Sequence, residues 1–255
     1  MLAATTLPRP TSVLPFSARA RTQVGLFLFA YLLYSAARFV TIGDLGAARA
    51  HAAWIVSLEQ TFGVGVEASV QAAFTGTWML WVLNHLYLVA QLGVIPAALI
   101  FLYRRAPGIY VTLRNTILAT WLISVPVYGL FPVAPPRLAG IGIADTISAQ
   151  TGFSLSSGLT TSFYNQLAAV PSLHVGFALA VGVALFAALR NPVLRVLALL
   201  WGPLIGLAVV ATGNHFVFDM LAGVVACVAG YGLGAVAGRI RVRPTLRIAR
   251  AFTEA

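Results

Sequence analysis

Val170-Pro171-Ser172-Leu173-His174 stands where a polar loop ends and an apolar run, residues 175–189, begins. Proline suits the first turn of a helix, where its missing N–H removes no bond. Ser172 and His174 then fall at a helix N-terminus, beside free backbone donors and the positive end of the helix dipole. Phosphate binds readily at such a place. A second stretch answers it: Thr212-Gly213-Asn214-His215-Phe216-Val217-Phe218-Asp219, at the start of the last long apolar run. If that run is helical, His215 and Asp219 lie at i and i+4 on one face. An aspartate so placed fixes one imidazole nitrogen and leaves the other free to attack. Two histidines, one carboxylate and a helix N-terminus are the parts of a phosphoryl-transfer site.

The surrounding chain places these parts in a membrane. Of 255 residues, 60% are hydrophobic and 9% charged, with a mean hydropathy of +0.91; a soluble chain carries about 25% charged residues. The expected class is all-α, a polytopic membrane protein. Apolar runs at about 24–40, 78–103, 113–131, 173–189, 196–211 and 217–237 predict a bundle of six transmembrane helices. Residues 1–23 read as a flexible cytoplasmic tail, 24–238 as the membrane domain with its catalytic core at about 78–238, and 239–255 as a basic cytoplasmic tail. The first run reads as an uncleaved span, not as the core of a signal peptide. His51, Trp54, Ile55, Leu58 and Phe62 recur at helical spacing, which predicts short amphipathic helices at the membrane interface. The Ser/Thr-rich patch at 148–162 reads as solvated loop, with a substrate lid as the alternative, and the lone Cys227 as a packing residue.

Charge orients the chain. The formal charge of +10 comes from 16 arginines against 6 acids, with no lysine. The arginines flank apolar runs instead of forming one patch, so nucleic acid is not an expected partner. With the segments taken alternately, the N-tail, 104–114, 190–195 and 239–250 carry 3, 3, 2 and 5 arginines, 13 in all; the other side has Arg38, Arg49 and Arg137. The positive-inside rule then predicts both termini in the cytoplasm. Arg137, His174, His215 and Asp219 fall together on the extracytoplasmic face, and the membrane is expected to be a bacterial plasma membrane.

Pro171-Ser172-Leu173-His174 and His215-x-x-x-Asp219 on such a chain resemble the type 2 phosphatidic acid phosphatase superfamily. That superfamily carries three motifs: Lys, six residues, Arg-Pro; Pro-Ser-Gly-His; and Ser-Arg, five residues, His, three residues, Asp. Here Leu173 replaces the glycine, Leu130 stands at the lysine position before Arg137, and Val209 stands at the arginine of the third motif. Pro-Ser-Leu-His and Phe131-Pro132-Val133-Ala134-Pro135-Pro136 are similar to the inositolphosphorylceramide synthase-like branch, whose known members are phosphotransferases.

The resemblance implies that His215 attacks phosphorus, Asp219 fixes its tautomer, and His174 protonates the leaving alcohol and then deprotonates the acceptor. It implies that Arg137, Ser172 and the backbone at Leu173 hold the phosphoryl oxygens, with no cofactor and no metal. Asn84, His85 and Asn214 are expected to line the pocket, and His51 to be interfacial. The expected partners are the bilayer and a lipid phosphate or phosphodiester lipid; the oligomeric state is open. Two enzymatic readings follow: a lipid phosphatase or phosphotransferase, and a dedicated headgroup transferase acting on a phosphodiester lipid. With the family lysine and second arginine absent, fewer cations face the substrate, which favours a monoanionic diester. A transporter or a non-catalytic lipid binder is the reading from another class; polar groups gathered at one face instead of the midplane speak against it.

Overall fold

The computed structural model describes residues 16–40 and 44–251; residues 1–15 and 252–255, parts of the two expected tails, lie outside the described residues. In chain order the helices are α1 (Phe16–Val40), α2 (Leu45–Phe62), α3 (Glu67–Phe74), α4 (Trp78–Val89), α5 (Ile95–Arg105), α6 (Pro107–Leu130), α7 (Thr146–Gln150), α8 (Gly158–Phe163), α9 (Leu173–Ala188), α10 (Pro192–Ala211) and α11 (Val217–Ala251). No strand occurs among the described residues; Val133 and Ala168 form one isolated parallel bridge. The ends differ from the sequence reading. Helix α1 starts inside the expected N-terminal tail and α11 runs through most of the expected C-terminal one, since Ala, Arg and Leu propagate a helix whether or not it is in a membrane.

Among the described residues, four helices are long and apolar enough to cross a bilayer: Trp78–Arg105 (α4 and α5 together), Pro107–Leu130, Pro192–Ala211 and Val217–Val236. Helix α9 is apolar but shorter. It occupies the centre of the bundle, packed by α5, α6, α10 and α11. Its buried positions include Gly176, Ala178, Ala180, Gly182 and Ala184, small residues that let neighbouring backbones approach closely. The polarity of the bundle is inverted relative to a water-soluble protein. Asn84, Thr120, Ser124 and Thr212 are buried, while Leu92, Leu122, Leu130, Val193 and Val225 face outward. That is the arrangement a lipid solvent favours.

The span Trp78–Arg105 is interrupted by a π-helical turn, Ala90–Val94, in which the Ile95 N–H reaches back to the Ala90 carbonyl. Pro96 follows immediately and has no N–H to give an α-helical ladder. The wider turn absorbs that defect and puts Gln91 into the wall of the central cavity.

Helix α2 has two distinct faces. Ala48, Ala52, Ile55 and Glu59 face inward, and Trp54 and Phe62 are exposed. Alanines at the inner face let the helix close on the loop after α6, where the Ala134 N–H donates to the Ala48 carbonyl. Trp54 and Phe62 are left outside, where an interfacial helix carries its aromatic groups. In the Ser/Thr-rich patch Ser148 pairs with Asp145, Thr151 with the Ile147 carbonyl and Ser157 with Thr160. That leaves Phe153 and Leu155 to cover the cavity.

Candidate active site

Helices α9 and α11 begin side by side. Ser172 is the N-cap of α9, its Oγ accepting the Val175 N–H, and its own N–H donates to the Asp219 carbonyl at 2.9 Å. Gly223 makes this possible, since a Cβ there would run into the Ser172 carbonyl. Helix α10 ends at Gly213, whose φ of +73° lies in the left-handed region, as a helix terminator requires. The Asn214 and His215 N–H groups both turn back to the Val209 carbonyl. His215 is thereby held just before α11.

Asp219 sits at the third position of α11 and reaches back to cap it. Its Oδ2 accepts the Phe216 N–H at 2.9 Å and faces His215 Nδ1 at 3.2 Å. This is the return half of a capping box, with the imidazole as a second donor. A carboxylate oxygen accepts only, so Nδ1 carries the proton and Nε2 keeps its lone pair. Asp219 is fully buried and His215 nearly so. The His174 ring stands 6.0 Å from that of His215, centroid to centroid, and stacks on Tyr87 at 4.0 Å and 21°. The two imidazoles are therefore close enough to address a single bound group.

Arg137 lies in a 3₁₀ turn, Pro136–Leu138, and its side chain is 0% exposed. Its Nε donates to Asn214 Oδ1 at 3.0 Å, and its backbone N–H to the Gly213 carbonyl. Asn214 is fixed in turn by Thr212, whose Oγ1 and carbonyl accept from its Nδ2. Both terminal nitrogens of Arg137 are buried without a hydrogen-bond partner, and Nη1 has Asp145 Oδ2 at 3.8 Å. A buried guanidinium with its Nε occupied and both terminal nitrogens unpaired keeps the two donors a bidentate anion would take. The Leu173 and His174 N–H groups, in the first turn of α9, have no partner among the described residues.

A cavity of about 680 Å³ opens onto His174 and His215, with Tyr31, Tyr34, Tyr87, Tyr128, Tyr164 and Trp121 in its walls. Among the described residues, the two histidines are the only titratable nitrogens that line it.

The structure thus brings His174, His215, Asp219, Ser172 and Leu173 together, with Arg137 beside them through Asn214. Three expected pocket residues stand elsewhere. Asn84 is buried in a network with Thr146 and Gln150, tying α4 to α7. His85 turns to the Trp81 carbonyl and ring. Asn214 orients Arg137 and does not line the cavity. His51 stacks on Phe131 and meets the Pro132 carbonyl at 2.7 Å, anchoring the loop that carries Arg137.

Sequence reasoning passed over Tyr87, Gln91, Glu59 and Glu67. The two glutamates carried a usable signal, being two of only six acids in a membrane chain. Tyr87 and Gln91 carried none.

A family model described as the PAP2 superfamily matches residues 53–233. The chain belongs to the PAP2 superfamily. Members are phosphatases and phosphotransferases, so this is a membrane protein of the phosphoryl-transfer class. The match begins within α2, earlier than the catalytic core expected at about 78, and so takes in the helices that carry Glu59 and Glu67. Comparison with curated proteins and with solved structures returned no match.

Proposed function

We propose that the chain is an integral-membrane enzyme that cleaves a lipid phosphate ester through a phosphohistidine. The observation that carries this reading is the His215–Asp219 pair, which leaves Nε2 of His215 unprotonated opposite His174. In the first half-reaction Nε2 forms a bond to phosphorus, the ester P–O bond breaks, and His174 gives its proton to the departing alcohol oxygen. In the second, His174 takes a proton from the acceptor hydroxyl, whose oxygen displaces Nε2 and restores the neutral imidazole. Asp219 holds the Nδ1 proton and stabilises the charge that His215 gains. The open fork of Arg137 and the free N–H groups of Leu173 and His174 receive the phosphoryl oxygens.

The acceptor is water or an alcohol, and the cavity favours the alcohol. Its aromatic walls exclude water from phosphorus and give a bound hydroxyl the advantage of held geometry. This supports placing the chain in the inositolphosphorylceramide synthase-like branch, transferring a phosphorylated headgroup from a phosphodiester lipid. The reading includes six spans, with α1 and α9 joining the four long apolar helices. It puts both termini in the cytoplasm and the site on the extracytoplasmic face of a bacterial plasma membrane, as the arginine distribution argues.

The experiment is incubation of the purified protein with lipid phosphates and phosphodiester lipids in oxygen-18 water, with and without candidate alcohols and with EDTA throughout. Turnover in EDTA that disappears in His215→Ala supports the mechanism. Phosphorylated alcohol as product supports the transferase, whereas labelled inorganic phosphate whatever alcohol is present makes the enzyme a phosphatase.

A further inference from the structure

The first turn of α11 is held by three carboxylates from three helices. The Phe216 N–H donates to Asp219 Oδ2 at 2.9 Å, the Val217 N–H to Glu67 Oε1 at 3.0 Å, and the Phe218 N–H to Glu59 Oε1 at 2.7 Å. Glu67 comes from α3 and Glu59 from α2, and both are buried. Burying acids side by side is unfavourable unless each finds donors. Here the donors are the backbone groups that immediately follow the nucleophile. These N–H groups have no acceptor within their own helix, and a substrate phosphoryl oxygen would otherwise compete for them. The two helix N-termini at the site therefore have opposite assignments: that of α11 is closed by protein carboxylates, and that of α9 is open.

On the reading that His215 is the nucleophile, we infer that Glu59 and Glu67 are positioning residues, which clamp the first turn of α11 by its backbone and keep the His215 imidazole aimed at phosphorus. Neither touches the reacting atoms. Both act through Val217 and Phe218, which fix the register of Asp219 beneath His215.

The clamp has a built-in pH limit. Burial, with the neighbouring Glu67 carboxylate adding to it against the Phe218 hydrogen bond, pushes the Glu59 carboxyl from 4.5 up to about 8. The groups facing Glu59 are Glu67 on α3 and Asp219 on α11. Below about pH 8 Glu59 is neutral; above it, ionisation places a further negative charge beside Glu67 and Asp219 in one helix turn and loosens it.

The test uses the full chain in detergent with micellar phosphatidic acid and phosphatidylinositol as probes, and four variants: Glu59→Ala, Glu59→Gln, Glu67→Ala and Glu67→Gln. Two readouts are taken, steady-state kinetics and amide hydrogen exchange over residues 214–219 without substrate. Each alanine variant is expected to lower kcat about tenfold with little change in KM, and to speed exchange of this segment by a similar factor. The glutamine variants keep an acceptor oxygen, so exchange protection and kcat at neutral pH are expected near wild type. Glu59→Gln is also expected to lose the decline in activity near pH 8. Wild-type exchange and kcat in both alanine variants would overturn the inference. If those variants do not fold, an unchanged alkaline limb in Glu59→Gln overturns it instead. Turnover that persists in His215→Ala defeats the nucleophile reading itself, a separate outcome because the exchange readout needs no turnover.

Discussion

Arg137 Nε donates to Asn214 Oδ1 at 3.0 Å, and Asn214 directly precedes His215 in the chain. One side chain therefore couples the Arg137 guanidinium to the loop that carries His215. Asn214→Ala removes a hydrogen bond to a charged group, an effect of about 1.5–3 kcal/mol. We expect kcat/KM to fall roughly 10- to 100-fold. Arg137→Lys should lose as much or more, because an ammonium cannot present a fork. Normal kinetics in both variants would remove Arg137 from the phosphate site.

Tyr87 stacks on His174, while its hydroxyl only approaches that of Tyr164 at 3.4 Å. The ring should matter and the hydroxyl should not. Tyr87→Phe is expected to turn over at close to the wild-type rate. Tyr87→Leu forfeits an aromatic contact of about 0.5–1.5 kcal/mol and frees the imidazole to rotate, for a loss of about tenfold in kcat. The reverse ranking would mean that the hydroxyl handles the proton.

Gly223 lets the Ser172 carbonyl pass against α11. Gly223→Ala overpacks that crossing, with an expected destabilisation of about 1–3 kcal/mol. It also moves the open N-terminus of α9 away from His215. Thermal unfolding in detergent should shift down, and kcat should drop further than the lost stability explains.

Stability should depend on pH through Glu59. Its carboxyl goes from 4.5 in the ordinary state to about 8 in the folded protein, chiefly through burial. The folded state therefore binds the proton more tightly than the unfolded one. The contribution is fully present below pH 4.5, is lost as pH rises to about 8, and is constant beyond. Denaturation of Glu59→Gln against wild type over this range should show a difference that vanishes at low pH and grows to a plateau. A constant difference would contradict the assignment.

Orientation is checked at Ser156, an exposed position in the cover over the cavity. Ser156→Cys should react with an impermeant thiol reagent on intact cells, whereas the native Cys227 is buried and should stay silent. Labelling only after the cells are opened would move the site to the cytoplasmic face.

Much of the site's geometry was legible because it is local. His215 and Asp219 share a face through four-residue spacing, and Ser172 caps the helix that starts one residue later. Neither relationship needs any other part of the chain. The apolar runs were legible for the same reason, since the composition of a segment decides whether lipid can solvate it. Boundaries were less so: α1 and α11 overrun the expected spans because helix propensity continues where hydropathy stops.

At α2 periodicity marked an interfacial helix but not its inner face, where Ala48, Ala52, Ile55 and Glu59 are buried while Trp54 and Phe62 stay exposed. Large apolar side chains point inward in water; against a bilayer they serve equally well outside, so hydrophobicity alone could not choose the face.

By itself, then, the sequence determined a membrane-embedded helical chain with a histidine–aspartate pair and a capped helix start beside it. The tertiary structure decided how that pair is held. Glu59 reaches Phe218 across 159 positions and Glu67 reaches Val217 across 150, while Arg137 reaches Asn214 across 77. Hydrogen bonds over such separations leave no spacing pattern, because whether two distant residues meet depends on how every helix between them packs.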